Sequence, residues 1–395
     1  MLILSEHRRK LIIRTLLCLM PIVGMAVDLI APSLPAIADS LNISSATTKN
    51  IITIYLLGYA LGNFLTGFLT DALGRQKLIR IGLVGFIFAS LLPIISPYII
   101  VLLLSRFLQG LTIGAVAVVA RAILSDILPP QELVRLGVIM GSMFGLGPVI
   151  GPLVGGYLQF YLGWQACFAF FAIISIIAFI AVFIILPETH FNRHPLNIKN
   201  IRTNLLEVLS HKKFMAMVLN MGAIYSLIIA FNTVGPFLIQ NQLKYTPVFF
   251  GHIALCMGVM FILATFTCRY LLKKYKVEQL FLVFINTFFV IALLALVMSY
   301  IYDKSITLIA IASAFMFFAC GIIFPMSMGK GISLFRHIAG TATATMYFIN
   351  VLMTSITALI LSFVNIHNAI ALMWTYFLLI SICAVIYWSV INKNK

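Results

Sequence analysis

Asp28 and Arg106 are the two ionisable side chains of this 395-residue sequence whose surroundings call for chemistry. Of the 10 acidic residues, Asp28 alone sits inside a hydrophobic run, and Arg106 is the only comparably embedded base. A charge held in hydrocarbon costs several kcal/mol, with estimates from about 2.5 upward, so an embedded acid lines a cavity, finds a partner or carries a proton. At a rise of about 1.5 Å per residue, Asp28 lies roughly 22 Å along its run and Arg106 about 12 Å into its own from the opposite side. The two can therefore reach similar depth and pair, either as a proton-handling couple or as a static ion pair that orients two helices. Other reactive types lead nowhere. The 6 cysteines are scattered singly through apolar runs and the 7 histidines show no H-x-x-x-H spacing, which argues against a disulfide framework, a thiolate metal site and a zinc enzyme. With no nucleophile–base constellation, no enzyme and no cofactor are expected.

The elements that must position these residues are membrane helices. The chain is 62% hydrophobic and 9% charged, against roughly 45–50% and about 25% for a soluble domain. A spanning helix needs about 20 mostly apolar residues. Twelve such runs begin near Leu11, Thr48, Leu78, Tyr98, Val134, Trp164, Phe214, Val248, Gln279, Ile306, Ile338 and Asn368. The first lacks a small-residue cleavage site and continues through Pro32 and Pro35, as a retained helix does. The polar stretch Glu188 to Lys213 divides the runs six and six, which predicts an all-α membrane protein of two six-helix bundles: 1–187, a linker 188–213 with too little chain for a soluble domain, and 214–395. The net charge of +16 does not signal a nucleic-acid partner. With the N-terminus inside, 22 of the 26 Lys and Arg residues fall on the cytoplasmic side. Lys49, Lys244 and Lys304 alone are expected in outer connections, a positive-inside pattern that makes both termini cytoplasmic.

Several local patterns refine this reading. Between the second and third spans stands Gly67-Phe68-Leu69-Thr70-Asp71-Ala72-Leu73-Gly74-Arg75-Gln76-Lys77. There Gly67 permits close helix approach, Gly74 permits a tight turn, and Asp71 and Arg75 can pair with each other or with neighbours such as Asp126. A faded copy, CRYLLKKYKVEQ, joins the eighth and ninth spans; six-span repeats of this kind place a substrate site at their interface. In the fifth span Gly147, Gly151 and Gly155 share one helix face beside Pro152 and Gly156, a seam for close backbone packing with a bend. In the eleventh span Thr343, Tyr347, Asn350, Thr354 and Thr357 form one polar stripe, and in the seventh Tyr225 and Asn232 lie two turns apart. Such stripes face the other bundle or a wet cavity, or else hydrogen-bond to neighbouring helices. Among the Phe and Met residues, a subset can line an adaptable apolar pocket.

The segment 67–77 resembles the loop signature of the major facilitator superfamily, in which this loop gates conformational change. Arg106, Gln109, Gly110, Gly114 and Ala115, together with Gly147-x-x-x-Gly151-Pro152-x-x-Gly155-Gly156, resemble the motifs of its drug/proton antiporter branch. The nearest resemblance, over essentially the whole chain, is to the Bcr/CflA-like and MdfA-like antiporters. It is carried by Asp28 to Pro35, by Arg121 to Asp126, and by His337 to Ala344. MdfA-like members carry a second carboxylate two turns before the helix 1 Asp; here Met20 stands in that place, against a two-proton mechanism. The resemblance implies a monomeric, proton-driven exporter of small amphipathic molecules in a bacterial inner membrane, in contact with cargo and bilayer. Asp28 and Arg106 would couple protons, with Gln109, Tyr225, Asn232, Tyr347 and Asn350 joining them at the cargo site. Gly67, Asp71, Gly74, Arg75 and Asp126 would form the gate. Export of an endogenous metabolite such as a siderophore, uptake symport, and a transport-dead sensor are the alternatives.

Overall fold

The computed structural model describes residues 5–96, 98–189, 198–335 and 338–391. The side chain of Asp71 and the pair Arg336 and His337, which belong to the motifs above, lie outside the described residues. Every regular element among the described residues is helical. In chain order these are α1 (Glu6–Asp28), a short 3₁₀ turn (Ala31–Ser33), α2 (Leu34–Leu41), α3 (Ser45–Leu73), α4 (Arg75–Ile95), α5 (Ile99–Ile127), α6 (Pro130–Leu162) and α7 (Gln165–Ile185). There follow α8 (Ile198–Ser210), α9 (Lys212–Pro236), α10 (Pro247–Leu271), α11 (Val277–Ser299), α12 (Ile306–Ser333), α13 (Ala339–Ser362) and α14 (Ile370–Ile386). Among the described residues eleven helices are long and apolar enough to cross a membrane, and α6, at 33 residues, is the twelfth long helix. Short connections make successive long helices run in alternate directions. One face of the molecule therefore holds the start of α1 and the end of α3, and the opposite face holds the start of α3 and the end of α13.

Packing divides these helices into two groups. In the first half α5 lies against α3 and α4, α7 against α4, and α1 against α6 and α7. In the second, α9 touches α12, α13 and α14, while α10 and α11 pack on α12. The halves meet along two seams, α3 with α13 and α6 with α10.

Two features differ from the sequence expectation and one adds to it. The first span does not run through as one helix: α1 ends at Asp28, because Pro32 has no N–H to give the Asp28 carbonyl and Pro35 none for Ala31. The stretch Glu188–Lys213, expected as a linker, holds a short helix of its own, α8. Ile198, Ile201, Leu205 and Val208 recur at helical spacing, and Val208 is buried with Phe214, Phe335, Ala342 and Met346 of the second half. Lys49 does not lie in an outer connection; it is within α3 and fully buried.

Candidate functional site

The break after α1 places Asp28 at the seam. Its side chain is 3% exposed, and Oδ1 accepts a hydrogen bond from Nδ2 of Asn232, across the halves on α9. Asn232 and Tyr225 share a face of α9 as their spacing predicts, with Tyr225 against the ring of Phe324 at 5.4 Å. Behind Asp28 stands the glycine face of α6. A Cβ at Gly151 would sit 3.3 Å from Asp28 Cβ, one at Gly147 2.2 Å from the Gly24 carbonyl carbon, and one at Gly155 1.9 Å from the Leu29 carbonyl oxygen. Bare backbone there lets α6 touch α1 over the turns on either side of the acid. Gly156 points elsewhere, its absent Cβ 2.6 Å from the Pro247 carbonyl oxygen of α10, so this short motif serves both a contact within the first half and a seam between halves. Pro152 shares the second role: its carbonyl oxygen would lie 2.8 Å from a Cβ on Gly251 of α10.

Arg106 is fully buried, and no ion pair joins it to Asp28. Its Nη1 donates to Gln109 Oε1 at 2.8 Å, Nη2 to the Ala26 carbonyl at 3.1 Å and Nε to the Ile51 carbonyl at 3.5 Å. The guanidinium plane lies over the Tyr55 ring, 4.3 Å from its centroid. A planar fork suits this arrangement, because its edges take three acceptors while its face stacks. Arg106 therefore ties α5 to α3 and to α1 two residues before Asp28, and touches the acid only through the backbone. Gln109, expected at the cargo site, is committed inside the first half, with Nε2 donating to Ser90 Oγ at 2.7 Å.

The polar stripe on α13 divides. Tyr347 faces the first half, where the Arg121 guanidinium lies 4.6 Å from its ring centroid and donates to Asn63 Oδ1 at 3.1 Å. Asn350 is 3% exposed and its Oδ1 has no hydrogen-bond partner. Thr357 instead bonds Ser226 of α9, within the second half. Contacts with α3 come from a neighbouring face: Ala344 beside Gly67, Phe348 against Phe64, and Ser355 Oγ donating to the Thr53 carbonyl at 3.0 Å. Gly67 has ordinary room, since a Cβ would lie 3.6 Å from Ala344.

On the face where α3 ends, Gly74 turns the chain into α4 with φ of +90°, a conformation that favours glycine. Arg75 follows, donating through Nε to Asp126 Oδ2 at 3.2 Å and through Nη1 to Thr70 Oγ1 at 3.0 Å. Thr189 Oγ1 adds a bond to the same Asp126 oxygen at 2.9 Å. The Glu188 carboxylate accepts the N–H groups of Arg75 and Gln76 at 3.0 and 3.2 Å, capping α4 where a helix dipole favours negative charge. Sequence reasoning missed Glu188 because nothing local marks a residue more than a hundred positions away as a helix cap. These bonds join Thr70, Arg75, Gln76 and Asp126 of the first half to Glu188 and Thr189, the first residues of the inter-half connection.

Comparison with known proteins agrees with this architecture. A sequence model of the Major Facilitator Superfamily matches residues 16–358. A multidrug resistance protein of Shewanella oneidensis is 26% identical, over 84% of this chain and 84% of its own. A bicyclomycin resistance protein homolog of Haemophilus influenzae is 25% identical, over 93% of each chain. Among solved structures, a D-xylose–proton symporter superposes with a TM-score of 0.77 at 14% identity, covering 98% of both chains, a likeness of fold alone.

Proposed function

Since this chain belongs to the Major Facilitator Superfamily and is a membrane transporter, not an enzyme, we propose that it exports small amphipathic molecules in exchange for protons. The two halves, 1–187 and 214–395 joined through 188–213, would expose the seam to each side of a bacterial inner membrane in turn, with both termini in the cytoplasm and the monomer as the working unit. The observation that carries this reading is Asp28, an acid withdrawn from water at the seam and held by an amide of the opposite half. A carboxyl so placed can hold a proton in one arrangement of the halves and yield it in the other, because its partner moves when the halves move. Arg106 positions the α1 turn that bears it, and Tyr225, Asn232, Tyr347 and Asn350 face cargo. Relatives named for resistance to several drugs and to bicyclomycin favour efflux over uptake.

Proteoliposomes with an imposed pH gradient and a trapped pH-sensitive dye test the coupling, with bicyclomycin as trial cargo. Cargo added to wild-type vesicles should dissipate the gradient faster than it leaks from empty ones. Cargo movement at an unchanged rate after the gradient is collapsed would remove proton coupling from the reading.

A further inference from the structure

Lys49 holds the two halves together in a way that the transport reading does not call on. It lies one turn into α3, and none of its surface is exposed. Its Nζ donates to the carbonyl oxygens of Leu361 at 3.2 Å and Val364 at 2.7 Å. Leu361 is in the last turn of α13, in the opposite half, and Val364 follows two residues after that helix ends; there a helix runs out of its own N–H donors and its dipole is negative. The Phe237 ring, from the turn that continues α9, sits 5.7 Å from the ammonium. Among the described residues no carboxylate pairs with Lys49. The positive charge is thus balanced by the end of one helix that belongs to the other half.

We propose that Lys49 is a positioning residue for transport: a latch that keeps this face of the molecule shut by gripping the end of α13 and lets it open by letting go. The chemistry suits a contact that must both hold and release. A buried ammonium is tolerated only while the carbonyls are within reach, since a buried charge without a partner is heavily penalised. Once α3 and α13 separate, water reaches the ammonium and the carbonyls together, so nothing is left buried and unpartnered. Closed and wetted states are both satisfied, and a half-open one is not, which is how a small displacement becomes a switch. Neutral contacts assist on the same face, where Ser355 Oγ donates to the Thr53 carbonyl and Gln240 Nε2 to the Pro32 carbonyl at 2.9 Å. The opposite end of this seam is crossed by other chemistry, Arg121 over the Tyr347 ring. The latch rests on alternating opening of the two faces and on neither cargo nor proton coupling.

Distances between spin labels test it. Ser45 and Asn365, both exposed, flank the latch; Lys77 and Ser333, also exposed, report the opposite face. Cys18 and Cys256, the two exposed cysteines, are first replaced by serine. Lys49→Met keeps the apolar stem and loses the donors, whereas Lys49→Arg keeps donors. The 45/365 distance should be mostly short in the parent and in Lys49→Arg, and mostly long in Lys49→Met, with no lengthening at 77/333. An unchanged 45/365 distribution in Lys49→Met would overturn the proposal. So would lengthening at both faces, which marks general loosening. If Lys49→Met does not fold, Lys49→Gln is held to the same two criteria. A failed proton-flux assay would leave this outcome untouched, because the labels read geometry.

Discussion

Asp28 and Asn232 form a bond between halves that can be altered without changing its shape. Asp28→Asn keeps an oxygen that accepts from Asn232 and removes the titratable group, so the protein should fold and still bind cargo while gradient-driven accumulation in vesicles falls to background. Pumping at the wild-type rate would move the proton elsewhere. Asn232→Leu does the reverse, leaving a buried carboxylate without its side-chain donor, and should cost about 1–3 kcal/mol of stability, read as a lower melting temperature. Arg106→Ala would take the side-chain donor from the Ala26 carbonyl and the Gln109 amide oxygen, and the second donor from the Ile51 carbonyl. Arg106→Lys keeps the charge and loses the fork, so it should melt between the wild type and Arg106→Ala. Asp28, Arg106 and Asn232 were legible in the sequence because a polar residue in an apolar run has to be accounted for. Their partners were not: Arg106 is satisfied by backbone carbonyls, which every residue possesses, and Asn232 meets Asp28 only after the halves assemble. Lys49 was misplaced because it follows two threonines and reads as the polar lip of a span. Yet Lys49, Ile52, Leu56 and Tyr59 recur at helical spacing and are all buried, a signal that was present.

At the scale of elements, apolar run length located the helices well: spans expected near Thr48, Phe214 and Ile306 begin at Ser45, Lys212 and Ile306. What composition hid was the interruption of one span and the presence of a short helix in a polar stretch. The prolines that break the first span were visible, but whether they kink or end a helix depends on which groups take over the freed carbonyls. For α8 the apolar period was present, and the surrounding charge obscured it. The glycine face of α6 makes a prediction that separates its two contacts. Gly155→Ala sets a methyl 1.9 Å from the Leu29 carbonyl oxygen in the tightly packed first half, and should destabilise the whole protein by about 1–3 kcal/mol in thermal unfolding. Gly156→Ala meets the Pro247 carbonyl across the seam at 2.6 Å, where the halves can give way together. It should lower the melting temperature less than Gly155→Ala and lengthen label distances between α6 and α10. Equal melting losses with no seam displacement would mean that both glycines serve the first half alone.

For the molecule as a whole, the two faces are closed by unlike means. Where α3 begins, the Lys49 ammonium crosses to carbonyls of the other half; where α3 ends, Arg121 crosses only to the Tyr347 ring, and Arg75 and Asp126 bond to Glu188 and Thr189 at the start of the inter-half connection. That second arrangement can govern opening by fixing how the connection leaves α7. Asp126 stands at its centre, accepting from Arg75 and from Thr189, the second residue of the connection. Asp126→Asn replaces a charge-assisted bond worth about 1.5–3 kcal/mol with a neutral one, and a substitution can shift a conformational balance only by the difference it makes between the two states. The neutral bond keeps about 0.5–1.5 kcal/mol of that, so the balance should move by about tenfold, since each 1.4 kcal/mol is tenfold. Cargo affinity should stay close to wild type while turnover falls, and the 77/333 distance should lengthen with 45/365 unchanged or shorter. If affinity is lost and neither distance moves, the network supports the cargo site and has no part in gating.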